Sequence, residues 1–281
     1  MELFRVIKRD ARFALRFCGG RAVASLMTVV LVYLAVSLTH SALLFIFAPE
    51  SSIEAFFETY YGSSTEDKII TLCCAVLYYL VMSPLFMGYT KLHFAFSEGL
   101  DESAVMLFDY FSSVKKFFGS VLFSVIYDAR VLFFIVLAAA PGAGLFYFAQ
   151  NYFPEGSDTL EILRISLCCI AVGLMILCLS LALIFVQRWS LAKYYYCEGN
   201  GVFASLSLSA KATKGFCTRI IRFRVSFFGW ALLSFLILPM IWSAPYYFVS
   251  DAIFSRYLME RYERSLAQVP ESIADDETIA E

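Results

Sequence analysis

Long uninterrupted apolar runs constrain this chain more than any other feature. Runs at or above the roughly 18 residues that mark a bilayer span lie at about 22–47, 69–90, 119–140 and 162–187. Two shorter ones lie at about 222–238 and 241–258. The 281 residues are 60% hydrophobic and 16% charged, against roughly 45–50% and about 25% in a soluble domain. The fold class is therefore all-α: a polytopic α-helical membrane protein of about six transmembrane helices. A single membrane domain is expected over 1–264. The tail, 265–281, is polar and acidic, with Asp275, Asp276 and Glu277, a composition that favours disorder.

Charge sets the orientation. Arg5, Lys8, Arg9, Arg12, Arg16 and Arg21 crowd the first residues, while Phe4, Ile7, Ala11 and Leu15 recur at helical spacing. This predicts an interfacial amphipathic helix on an anionic leaflet and a cytoplasmic N-terminus. The apolar run behind it exceeds the about 7–15 residues of a signal-peptide core, so the first span is expected to stay in the mature protein. His40 sits near its outer end and is expected to reach for the interface. The 49–68 loop is acidic, with Glu50, Glu54, Glu58, Glu66 and Asp67 against Lys68, which fits an external loop. Ala104, Leu107, Phe108, Phe111, Val114 and Phe118 predict a second interfacial helix, opened by a cap in the preceding acidic cluster. Pro84 predicts a kink, and Pro141-Gly142-Ala143-Gly144 predicts the end of the third span. Tyr194-Tyr195-Tyr196 suggests an aromatic belt. Residues 202–224 carry Lys211, Lys214, Arg219, Arg222 and Arg224 with no acid, and are expected in the cytoplasm. Pro239 divides the last two runs. If it marks a turn, there are six spans and a cytoplasmic C-terminus. If it is a kink, there are five, and Arg256, Arg261 and Arg264 face the wrong side.

A plan of three units is legible. Glu98-Gly99 and Glu198-Gly199 lie one hundred residues apart, each after an even-numbered span. Lys115-Lys116 precedes Gly119, and Lys214 precedes Gly215. Arg16 ahead of Gly19-Gly20 would begin the first copy. Each unit would read basic helix, span, external loop, span.

The third unit carries a resemblance. Ser209, Lys214-Gly215, Ser226-Phe227-Phe228-Gly229-Trp230, Trp242 and Pro245-Tyr246 resemble the bacterial integral membrane family known as domain of unknown function 975. Two departures stand out: Ile237-Leu238-Pro239-Met240 replaces a Gly-rich turn, and Ser255 follows Phe254 where an aromatic is usual. The resemblance implies a multi-span protein of the bacterial cytoplasmic membrane and brings no activity. The chain also looks distantly like membrane domains attached to some glycerophosphodiester phosphodiesterases.

Polar groups in apolar surroundings are the candidate chemistry. Asp128 and Arg130 fall inside the expected third span, where a charge costs about 2.5–3.5 kcal/mol on insertion scales. Two apart, they do not share a helix face, and Arg222 or Arg224 could answer Asp128. These four form a candidate intramembrane polar site, read either as a structural tie or as a solute path. The basic segment 211–224 could meet lipid phosphates. No Gly-x-Ser-x-Gly or His-Glu-x-x-His occurs, and His93 and Glu98 do not meet on one helix, so no catalytic residues are assigned. The eight cysteines sit in apolar runs or beside basic segments and read as packing residues. With two histidines in the chain, no metal set is assembled, and no cofactor is expected. A net charge of -2 argues against nucleic acid. Expected partners are membrane lipids, with a membrane-protein partner or a second copy of the chain. The expected function is a non-enzymatic accessory, assembly or lipid-interaction role. The alternative is a small-solute or lipid transporter or channel using Asp128 and Arg130.

Overall fold

The computed structural model describes residues 2–47, 65–100, 102–152, 158–234 and 237–267. Every regular element among them is helical. The long helices are α1 (Glu2–Phe47), α2 (Thr65–Ser97), α3 (Val114–Tyr152) and α4 (Asp158–Val186). Shorter ones follow: α5 (Ala192–Cys197), α6 (Val202–Ala212), α7 (Cys217–Val225) and α8 (Phe228–Leu233). The last is α9 (Ile237–Ala267). Two 3-10 helices, Ala104–Phe111 and Gln187–Trp189, join the longer pieces.

Four helices are long and apolar enough to cross a membrane among the described residues, where about six spans are expected from the sequence. The difference lies in the third unit. The 222–238 run is not one helix: it is divided between α7, α8 and the start of α9. The 241–258 run lies inside α9, with Pro239 in that helix's first turn, where a missing N–H costs nothing. The Pro239 break is therefore a helix start.

The third long helix extends past the expected end of its span. α3 runs unbroken through Pro141-Gly142-Ala143-Gly144 to Tyr152, because a proline is tolerated inside a membrane helix where neighbouring groups satisfy the freed carbonyl. Its uncharged stretch is 131–152, about 33 Å at 1.5 Å per residue. The second and fourth spans run as expected, α2 continuing past Thr90 to Ser97 with Pro84 inside.

At the N-terminus, the amphipathic segment and the first span form one 46-residue helix, about 69 Å long against about 30 Å of hydrocarbon. The helix passes unbroken through Gly19-Gly20, so no turn marks a first copy there. Its apolar stripe does not lie on a leaflet. Ala11, Cys18 and Ala22 pack with Leu92 and Phe96 of α2 and Val249 of α9, and Phe4 meets Phe254 edge-on at 6.0 Å. An amphipathic stripe buries against whichever apolar surface is nearest, and here protein supplies it.

The expected 104–118 helix is likewise divided. Ser103 accepts from Val105 N–H to open the 3-10 turn. The Ser112 hydroxyl closes it on the Asp109 carbonyl at 2.7 Å, and Ser113 accepts from Lys116 N–H as α3 begins. Leu107 and Tyr110 are buried, whereas Phe108, Phe111, Val114 and Phe118 are exposed. Tyr194 and Tyr195 are buried rather than forming a belt. Most of the 49–68 loop and the tail beyond Ala267 lie outside the described residues.

The chain packs as two compact units, Met1–Leu122 with Phe227–Tyr257, and Phe123–Ser226 with Leu258–Glu281. In the first, a cluster of Leu26, Val29, Met82, Leu85, Tyr89 and Leu107 continues the α1–α2 seam. Gly88 is pressed against the 3-10 turn: a Cβ there would overlap the Leu107 carbonyl oxygen. In the second, α3 and α4 approach at Gly142, where a Cβ would stand 2.6 Å from Met175 Cβ, the close small-residue contact of membrane helices. The most apolar windows of α3 and α4 are otherwise bare, with 6% of each buried. Their packed core lies beyond the charged ends of the spans.

The hundred-residue repeat survives in backbone detail. α2 and α5 end in the same cap. Gly99 N–H bonds Phe96 O at 3.2 Å and Leu100 N–H bonds Ala95 O at 3.2 Å, while Gly199 N–H bonds Tyr196 O at 3.0 Å and Asn200 N–H bonds Tyr195 O at 3.3 Å. This paired reversal places a glycine at positive φ, here +75° and +97°. The contacts that follow share the same offset: Lys91 with Asp109, and Leu191 with Ser209.

Candidate functional site

In the first unit, the charged ends of α1, α2 and α9 enclose an open groove of ≈ 670 Å³. α1 contributes Asp10, Phe13, Phe17, Cys18 and Arg21, the end of α2 contributes Phe96, Ser97 and Glu98, and α9 contributes Ile253 and Arg256. Phe13 and Phe17 stack edge-on at 5.1 Å yet remain 61% and 71% exposed. Two open phenylalanines beside arginines are suited to an amphiphile with an anionic head. Arg21 is anchored, donating to the Glu102 carbonyl at 3.2 Å. Outside the groove, Arg5, Arg9, Arg12 and Arg16 form an exposed stripe at spacings of four, three and four residues. Lys8, by contrast, turns inward to lie 4.3 Å over the Phe227 ring.

Earlier on α2 than the groove's wall, Lys91 joins Lys116 on the Asp109 carboxylate. Lys91 Nζ donates at 2.6 Å and Lys116 Nζ at 2.7 Å. Partial burial alone would push the Asp109 carboxyl up. Hydrogen bonds from Lys116 and Lys91, and their charges, outweigh burial and hold it below the usual carboxylate range.

The candidate polar site lies in the second unit. Asp128 and Arg222 are exposed, and Arg130 and Arg224 are half-buried. Arg130 lies over the Trp189 ring at 5.9 Å, and Arg224 donates to Gln187 Oε1 at 2.7 Å. These two arginines thus meet on the Gln187–Trp189 turn at the end of α4. Because α3 continues to Tyr152, Asp128 and Arg130 precede its uncharged stretch instead of interrupting it. No local pattern in the chain signals that Arg130 and Arg224 share that turn.

The family-motif residues are mostly fasteners. Ser209 is buried; its hydroxyl donates to Arg188 O at 2.8 Å and accepts from Leu191 N–H at 3.1 Å. Lys214 and Gly215 form the turn between α6 and α7, with Gly215 at φ +80°. Gly229 lies in α8 beside Trp230, which packs on Tyr246 at 5.8 Å. Pro245 is buried within α9, and the Tyr246 hydroxyl donates to Lys8 O at 3.4 Å. Trp242 is exposed. The groove was missed because its walls come from residues 10–21, 96–100 and 253–256, far apart in the chain. The open Phe13–Phe17 pair on a basic helix was the signal that could have found it. Among the described residues no cluster of three His, Cys, Asp or Glu side chains could hold a metal.

Long apolar helices with charged ends define the class: an α-helical membrane protein. The chain belongs to the family described as "Protein of unknown function (DUF975)", whose sequence model matches residues 7–262. No curated protein and no solved structure matches it.

Proposed function

We propose that this is a non-enzymatic protein of the bacterial cytoplasmic membrane whose cytoplasmic layer engages anionic lipid headgroups. The observation that carries the reading is the groove with Phe13, Phe17 and Arg21 at the point where α1 changes from charged to uncharged. Positive-inside orientation places this end of α1 on the cytoplasmic side. An even number of crossings returns Arg261 and Arg264 to that side as well. Basic groups within a Debye length of the surface, about 8–10 Å, each add about 1 kcal/mol of attraction to an anionic leaflet. At 1.5 Å per residue, Arg16 lies about 7.5 Å below Arg21, and Arg5 about 24 Å below it. Arg16 and Arg21 are therefore the headgroup contacts, and Arg5 and Arg9 lie beyond reach.

Against the solute-path reading, Asp128 and Arg130 precede the uncharged stretch of α3 at 131–152. Mass spectrometry of lipids carried by the purified protein tests the proposal. Anionic phospholipid is expected to be enriched over the bulk membrane, and the enrichment to fall in an Arg16→Gln/Arg21→Gln variant. Unselective lipid in both, together with solute flux abolished by Asp128→Asn, would favour the alternative.

A further inference from the structure

α8 and the first half of α9 form a short arm entirely within the first unit. Its two sides are fastened across: Phe227 meets Tyr246 at 5.5 Å and Tyr247 at 5.4 Å, Trp230 meets Tyr246, and the Ser234 and Ser243 hydroxyls hydrogen-bond. Residues 225–234 and 237–250 carry no charge. The first stretch rises about 15 Å and the second about 21 Å at 1.5 Å per residue, each short of the about 30 Å a crossing needs.

The arm's depth can be read from its neighbours. Ala244 and Phe248 pack against the Leu26, Val29 and Tyr89 cluster. Leu26 and Val29 lie five and eight residues beyond Arg21, the last charged residue of α1 before its uncharged stretch. Tyr89 lies two residues before Lys91, the charged boundary of α2. The lower part of the arm therefore sits just inside the hydrocarbon edge, and its remaining length carries it toward the bilayer midplane. The outward side chains suit that position: Phe228, Trp230, Leu232, Leu233, Met240 and Trp242 are exposed, Trp242 by 71%. Such a surface placed in water would be an aggregation site.

We infer that this arm is a re-entrant hairpin embedded in one leaflet, with the acyl chains of the cytoplasmic leaflet as its partner. It enters and leaves on the cytoplasmic side. Four full crossings and one half-hairpin then leave both termini on that side, with neither a fifth nor a sixth span. The inference needs only the spans' place in a membrane and does not rest on headgroup binding.

Two measurements test it on the full chain. Single cysteines at Met240→Cys, at Ser52→Cys as the external reference and at Lys211→Cys as the cytoplasmic reference are placed in a chain freed of native cysteines. They are treated with an impermeant maleimide in intact cells. Met240→Cys is expected to stay unlabelled until detergent is added, while Ser52→Cys reacts. Labelling of Met240→Cys from outside at the Ser52→Cys rate would overturn the inference, because the arm would then cross. The second measurement keeps every native cysteine. With Trp189→Phe and Trp230→Phe, Trp242 is the sole indole. Its emission is expected to fall severalfold in bilayers of phospholipid brominated along the acyl chain and to resist aqueous iodide. Quenching by iodide with none by brominated lipid would place the arm in water and overturn the inference.

Discussion

Asp109 holds the first unit's 3-10 turn to two helices through Lys91 and Lys116. Its carboxyl lies below the usual range, so the stabilisation is present above the ordinary carboxylate pKa, about 3.9. It is lost as pH falls through the lower folded value. Both lysines are partly exposed, which limits each bridge to about 0.2–1 kcal/mol. Asp109→Asn should lower stability at neutral pH by that order, read as a drop in the thermal midpoint, and wild type and variant should converge only as pH falls below the lowered folded value. Gly88 makes a harsher case. Gly88→Ala would drive a methyl into the Leu107 carbonyl, and such overpacking costs about 1–3 kcal/mol. Thermal unfolding in detergent should register the loss, and an unchanged midpoint would mean that the turn can retreat.

At the scale of the element, the two caps at Gly99 and Gly199 are the most regular feature of the chain. A non-glycine residue at that left-handed position costs about 1–2 kcal/mol. Gly99→Ala and Gly199→Ala should each destabilise by that amount and loosen amide protection at 95–100 and 195–200 respectively. Both caps were legible, because a glycine after a helical run signals little else. The ends of α3 and the start of α9 were not, because Pro141 and Pro239 read as breaks. A proline marks a strained or initial position in a helix equally well, and its neighbours decide which. The stripe Phe4, Ile7 and Ala11 was read as lipid-facing for a similar reason: its period states that it is buried, not against what. Arg222 or Arg224 is the partner the chain's pattern offers Asp128, and nothing in that pattern puts Arg224 beside Arg130. What brings them to Gln187–Trp189 is a 3-10 turn that no local pattern announced.

For the whole molecule, the apolar runs made the class plain, and the family followed from the third unit's motif. The arrangement of packing did not follow. Spans are expected to hold the core of a membrane protein. Here α3 and α4 approach closely at Gly142, and only 6% of each one's most apolar window is buried. In the proposed reading, a chain built this way presents a surface where bilayer meets cytoplasm, with the groove at Phe13, Phe17 and Arg21 on that boundary. A ligand that binds only the folded state raises its stability logarithmically as its concentration climbs above the dissociation constant. The most direct measurement is therefore the thermal midpoint of the full chain in nanodiscs of rising anionic-lipid content. The midpoint should climb for wild type and for Arg5→Gln/Arg9→Gln, and stay flat for Arg16→Gln/Arg21→Gln. A midpoint indifferent to lipid charge, or one that responds equally in both variants, would contradict headgroup binding at the groove.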